Sequence, residues 1–176
     1  MKLSYPSPVA NLQAASAVPQ LIRASKTFTG AANLGATGAN ELFTTTGVVF
    51  IDGFYVRCTS TLVDSVDGAL FALGVTGATK IFTGTGFEGA FDLDTINTGD
   101  GLAANQAVAF VGYAPNLAND ITDVGGGVVQ PMAIFANIIM TISAQAITGG
   151  VLEFYILYRP LSSGAGLALG AGMTQI

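Results

Sequence analysis

The stretch Ala136–Arg159, ANIIMTISAQAITGGVLEFYILYR, restricts the fold more than any other part of the chain. It holds two runs, Ile138–Ala144 and Val151–Arg159, rich in β-branched and aromatic residues. Such residues suit the pleated, half-buried surface of a sheet. Gly149 and Gly150 precede the second run and Pro160 follows it. A helix there would begin beside two glycines, stop at a proline and be shorter than most helices, so the strand reading is preferred. Alternate side chains of a strand point to opposite faces. Leu152, Phe154, Ile156 and Tyr158 then share an apolar face, while Val151, Glu153, Tyr155, Leu157 and Arg159 share a mixed one. Ile138, Met140, Ile142 and Ala144 share a face of the first run. With Gln145–Gly150 as the turn, the stretch is expected to form a long antiparallel hairpin at the centre of a β-sandwich. The mixed face suits contact with a neighbouring subunit or with water.

The rest of the chain repeats the pattern of short apolar runs between turn signals. Strands are expected at 26–30, twice within 41–63 with a break near Thr46–Gly47, and at 68–75, 78–85, 107–113 and 128–136. Gly53 marks a bulge or bend. Phe54, Val56 and Cys58 share one face there, and Tyr55 and Arg57 the other. Thr76–Gly77 is the turn of a second hairpin. Residues 84–106 and 114–127 read as long loops. Roughly eight strands in this rhythm describe an all-β, single-domain antiparallel β-sandwich, jelly-roll-like, spanning residues 26–161. Residues 1–25 carry Pro6, Pro8 and Pro19 and read as an extended N-terminal arm, with a reach of roughly 80 Å at ~3.3 Å per residue. A secretory signal would need the apolar stretch that Pro6, Pro8, Asn11 and Gln13 interrupt. Residues 162–176 form a Gly/Ala-rich tail, either flexible or docked on another subunit.

Only 10% of the 176 residues are charged, against ~25% in an ordinary globular chain. A lone monomer needs charge to stay soluble, so much of this surface is expected to lie against further copies or another protein. The net charge is −5, and the six basic residues Lys2, Arg23, Lys26, Arg57, Lys80 and Arg159 are scattered. Nucleic acid is therefore not expected as a partner. No apolar run reaches membrane-spanning length, and no membrane partner is expected.

Chemistry is hard to find in this chain. It has no histidine and one cysteine, which excludes Ser-His-Asp and Cys-His catalysis and argues strongly against a zinc site. Cys58 lies in an apolar run and reads as a buried small hydrophobe. Gly84, Gly86 and Gly89 match G-x-G-x-x-G, but no helical pattern follows to present a phosphate site. Asp92, Asp94 and Asp100, the pair Asp64 and Asp67, and the pair Asp120 and Asp123 lack calcium-loop spacing and read as solvated loop carboxylates. Pairing any two carboxylates for glycoside hydrolysis has no specificity here. Glu153 and Arg159 are expected to pair across strands or across a subunit boundary. No catalytic, cofactor-binding or metal-binding residue is assigned, and an enzyme is not expected.

Two runs carry a resemblance. KTFTGAANLGATGANELFTTTGVVFIDGFYVRCTS, from Lys26, and NIIMTISAQAITGGVLEFYILYRPLSS, from Asn137, resemble small virion proteins of tailed bacteriophages. The most specific part is the closing G-x-[IL]-E-F-Y-x-x-[WY]-R-P-L-S, met by Gly150–Ser162, with Tyr158 where tryptophan is common. The resemblance implies a β-sandwich or jelly-roll subunit, commonly trimeric, and no catalytic residues. It implies a capsid decoration (cement) protein on the phage head surface, bound to the major capsid protein and to its own copies. The alternative it leaves is a head-fibre or tail receptor-binding module that contacts carbohydrate through the long loops.

Overall fold

The computed structural model describes residues 18–64, 69–84, 91–92, 107–113 and 132–176. Among them there is no helix. Twelve strands run in order: β1 (Gln20–Thr27), β2 (Gly38–Thr46), β3 (Val49–Asp64), β4 (Leu70–Val75), β5 (Ala78–Gly84), β6 (Phe91–Asp92), β7 (Ala107–Tyr113), β8 (Met132–Ile134), β9 (Ile138–Ser143), β10 (Ile147–Pro160), β11 (Gly166–Leu169) and β12 (Met173–Gln175). Their ladder follows β11-β2-β9-β4-β5-β7-β3-β10-β1-β12, with β6 on β4 and β8 on β3. It folds into two antiparallel sheets packed face to face, the single-domain β-sandwich that the strand rhythm predicts.

The core lies between the sheets. Phe43, Leu73, Ile138, Met140 and Ile142 come from one side, and Phe54, Val56, Leu152, Phe154 and Ile156 from the other. The rings of Phe54 and Phe154 meet at 6.3 Å and 49°, within the favourable range for tilted aromatic pairs. The two-residue period sorts both long strands as the sequence predicts. Leu152, Phe154, Ile156 and Tyr158 are buried, as are Phe54, Val56 and Cys58, while Tyr55 and Arg57 are exposed. The bend at Gly53 is a bulge: Leu157 pairs with Gly53 and Tyr158 with Ile51, which leaves Asp52 as the extra residue. β4 and β5 form the hairpin expected around Thr76–Gly77.

Three expectations are corrected. β9 and β10 are not a hairpin. β9 pairs with β2 and β4, whereas β10 pairs with β1 and β3. Residues 144–146 carry the chain from one sheet to the other, with Ala144 at φ 63° and the Gln145 N–H donating to the Ser143 carbonyl at 2.8 Å. Crossing between layers lets both apolar faces meet the same core, as side-by-side pairing also would. β2 and β3 cross in the same way through Gly47 and Val48.

Residues 20–25, expected in the extended arm, belong to β1, and residues 1–17 lie outside the described residues. Gln20 already pairs with Tyr158, and Ala24 is buried beside Phe154 in register. Pro19 stands just before the strand, where its missing N–H removes no ladder bond. The C-terminal tail is also part of the domain. β11 pairs with β2 from Gly166↔Thr46 to Leu169↔Phe43, and β12 pairs with β1 from Lys26↔Met173 to Ala24↔Gln175. The tail is thus a strap that covers one edge of each sheet. Leu167, Leu169 and Met173 of the strap pack against the core, and Gly170 permits its close approach: a Cβ there would come within 2.9 Å of the Leu42 carbonyl.

Candidate interaction face

The outer surface of β1, β10 and β3 is built row by row from the register. Leu21, Leu157 and Gly53 form one row, Arg23, Tyr155 and Tyr55 the next, and Ser25, Glu153 and Arg57 the third. Arg159 pairs with Phe50 at the end of the face. All three arginines of the chain therefore stand on one sheet surface, interleaved with Tyr55, Tyr155 and Phe50. They are 34 to 136 positions apart in sequence, which is why they look scattered when read in a line. Leu21 is 59% exposed, Tyr55 52% and Leu157 38%.

Electrostatic pairing fixes part of this face. Arg159 holds Asp52 with two charge-assisted bonds, Nε to Oδ2 at 2.8 Å and Nη2 to Oδ1 at 2.7 Å. Its guanidinium also stacks over Phe50, 4.8 Å from the ring centre. The Asp52 carboxylate raises the Arg159 pKa further above its ordinary value. The bulge is what brings Asp52 within reach of that fork. Tyr155 donates its hydroxyl proton to Glu153 Oε2 at 2.6 Å, and Arg57 approaches the same oxygen at 4.0 Å. The bond to Glu153 raises the Tyr155 pKa, so the phenol stays a neutral donor. Glu153 and Arg159 thus pair with Arg57 and Asp52 across strands, as expected. Arg23 forms no hydrogen bond or ion pair among the described residues. The face offers cations, aromatic surface and hydroxyl groups, which is the chemistry of recognition.

The other charged residues sit differently. Lys26 lies on the inner side of β1, in a row with Leu152 and Cys58, and is fully buried. Its ammonium donates to the Glu41 carbonyl and to the Ala171 carbonyl, both at 3.1 Å, and lies 3.9 Å from Met173 Sδ. It ties β2 to the strap. Burial lowers its pKa to about 8, against the opposing pull of Glu41. Asp64 accepts from the Ala69 N–H at 2.8 Å, a local anchor before β4. Cys58 is buried, bonds the Ser60 carbonyl at 3.1 Å and has its pKa raised by burial. Gly84 ends β5 and Asp92 lies in β6. Gly86, Gly89, Asp67, Asp94, Asp100, Asp120 and Asp123 lie outside the described residues, as do most of the loops 84–106 and 114–127. Among the described residues, no three His, Cys, Asp or Glu side chains gather as metal ligands do.

Sequence reasoning missed Lys26 because it began the strand there. The continuing alternation Ile22, Ala24, Lys26, Phe28 was the available signal, with a lysine in an inward position. It also missed Asp52 as the partner of Arg159, and Arg23 and Tyr55 as neighbours of Tyr155. Those pairings depend on which strands lie side by side. Comparison with family models, with curated proteins and with solved structures finds no match for the chain.

Proposed function

We propose that the chain is a structural subunit of a tailed-bacteriophage virion, a homotrimeric capsid decoration protein without enzymatic activity. In this reading it binds the outside of the shell and stabilises the head, with the major capsid protein and its own copies as partners. The observation that carries it is the outer face of β1, β10 and β3. The motif behind the virion-protein resemblance builds that face, since Glu153, Tyr155 and Arg159 point outward while Leu152, Phe154, Ile156 and Tyr158 fill the core. A surface of arginine, tyrosine and leucine has the composition of a protein interface. Apolar area removed from water contributes ~25 cal/mol per Å². A modest contact repeated over a symmetric shell therefore adds up through multivalency.

The test compares virions assembled with and without the gene for this chain. Their rupture temperature should fall without it and return when purified protein is added back. Virions that never contain the chain, or that rupture at the same temperature in both states, would refute the reading.

A further inference from the structure

We infer that the open edge of β11 adds a second copy of this chain by strand pairing, β11 against β11 about a two-fold axis at Ala168. This contact goes beyond the proposed function and does not depend on it, because a two-fold contact is not the one that closes a trimer.

One side of the β11 backbone is open. The register with β2 runs from Gly166↔Thr46 to Leu169↔Phe43, and the Gly170 N–H donates to the Leu42 carbonyl at 2.8 Å. Hydrogen-bonded and non-hydrogen-bonded pairs alternate along an antiparallel ladder. Gly166 and Ala168 therefore turn their backbone groups toward β2, as Gly170 does, and Leu167 and Leu169 turn theirs away. β2 agrees: Thr45, opposite Leu167, gives its N–H to Asn137 Oδ1 at 3.0 Å rather than to β11. β11 stands at one end of the ladder, and among the described residues no strand lies beyond it. β12, at the other end, offers less. It is three residues long, and its Met173 N–H already donates to the Gly170 carbonyl at 3.2 Å.

A row of alternate N–H and carbonyl groups is matched by an extended strand. Natural edges repel such a strand with charge, proline or a bulge. From Leu161 to Ile176 the sequence has no charged residue and no proline, and the β11–β2 register has no shift. The edge also fits its own copy. With Ala168 opposite the copy's Ala168, Leu167 stands opposite the copy's Leu169, and both turn their backbone groups outward. Each exchanges N–H and carbonyl with the other, so every open group of the edge finds a partner. A slip of one residue would set outward groups against inward ones. The side chains permit the approach: Leu167 and Leu169 pack against the core, and the exposed residue between them is the small Ala168. So short a strand buries far less than the ~800 Å² per partner of a standard interface. Free chains therefore associate weakly, and the pairing is read at high concentration or by trapping it.

The test traps the axis. The two Ala168 residues would face each other as a non-hydrogen-bonded pair with Cα atoms ~4.5 Å apart, within disulfide reach. The full chain carrying Ala168→Cys is equilibrated in a glutathione buffer beside Thr174→Cys, an exposed position on β12. Cys58 is buried and does not compete. On a denaturing gel without reductant, A168C should show roughly tenfold more linked dimer than T174C; equal linking overturns the inference. Sedimentation of Ala168→Lys and Ala168→Glu, alone and mixed, then checks the register. Ala168 is exposed, so both should keep the wild-type melting curve. Like charges opposite each other should weaken association roughly tenfold in each variant alone, and opposite charges should restore it in the mixture. A wild type with no concentration-dependent association up to about 1 mM overturns the inference. So do charge variants that associate as the wild type does, or a mixture that associates no better than its components.

Discussion

Replacing Lys26 with methionine tests the seam between the strap and the sandwich. The ammonium is buried and holds the carbonyls of Glu41 and Ala171. Burial lowers its pKa from 10.5 to about 8. The folded protein therefore releases this proton before the unfolded chain does. Between pH 8 and 10.5 the unfolded state binds more protons, so stability must rise with pH in that window. At about 1.4 kcal/mol per pH unit, the full rise is about 3 kcal/mol. Below pH 8 the same amount is a constant cost of keeping the charge buried. Methionine removes that cost and the titration, but leaves two carbonyls without their donor, at about 1–3 kcal/mol each. At pH 7 these effects oppose, and the variant should lie within a few kcal/mol of the wild type. The informative quantity is the difference between the two proteins as pH changes. Urea unfolding at steps from pH 7 to 10.5 should show the wild type gaining about 3 kcal/mol on Lys26→Met. Every other group is common to both proteins, so its contribution cancels in the difference. Glu41 is the charged side chain that acts on the amine, and it opposes the lowering by burial. Parallel stability curves would mean that the amine is solvated and the seam is not closed around it.

Three further outcomes follow from the packing. Gly150→Ala should destabilise by about 2 kcal/mol or more, measured by urea midpoint, because the residue sits at φ 98° and a Cβ would lie 2.5 Å from the Thr61 carbonyl. Cys58 should resist thiol reagents in the folded protein at pH 8 and react fully in denaturant; fast labelling without unfolding would contradict its burial and raised pKa. Truncation after Ser163 should expose the edges of β1 and β2, lower the melting temperature and promote aggregation detectable by light scattering; a truncated chain as stable and soluble as the full one would show the strap to be dispensable.

The fold class was legible because the two-residue period is local. Once Val151–Arg159 is a strand, its alternation decides that Leu152 and Phe154 go in and that Tyr155 and Arg159 go out. The same local logic located the bulge at Gly53 and the β4–β5 turn. Pairing was not legible. Three linking residues between β9 and β10 serve a hairpin or a crossing between layers equally well, and both choices bury the apolar faces. The choice is made by the sheet as a whole, through β2 and β4 on one side and β1 and β3 on the other. The strap was hidden for another reason. Glycine and alanine suggest flexibility in isolation, yet here their small size permits close approach to Leu42 and to the Asn33–Leu34 turn. The β1–β10–β3 outer face depends on this same tertiary pairing, so Arg23, Arg57 and Arg159 could not be placed together from their positions in the chain.

The strapped edges of β1 and β2 and the mixed outer face bear on one another. A sandwich with few charges risks pairing its strand edges with other chains, and natural sheets usually place charge there to prevent it. This chain covers edges with its own C-terminal residues instead. The cover includes a lysine taken out of water, Lys26, whose carbonyl partners on β2 and the strap hold the seam. The remaining surface cations are then free to stand elsewhere, and the arginines stand on the β1–β10–β3 face. Arginine suits that place better than lysine. Its planar fork binds carboxylate in two bonds and stacks on aromatic rings, as Arg159 does with Asp52 and Phe50. A face organised in this way keeps its cations oriented before any partner arrives, which lowers the ordering cost of each contact. In the many-copy assembly proposed above, that small saving would recur at every site.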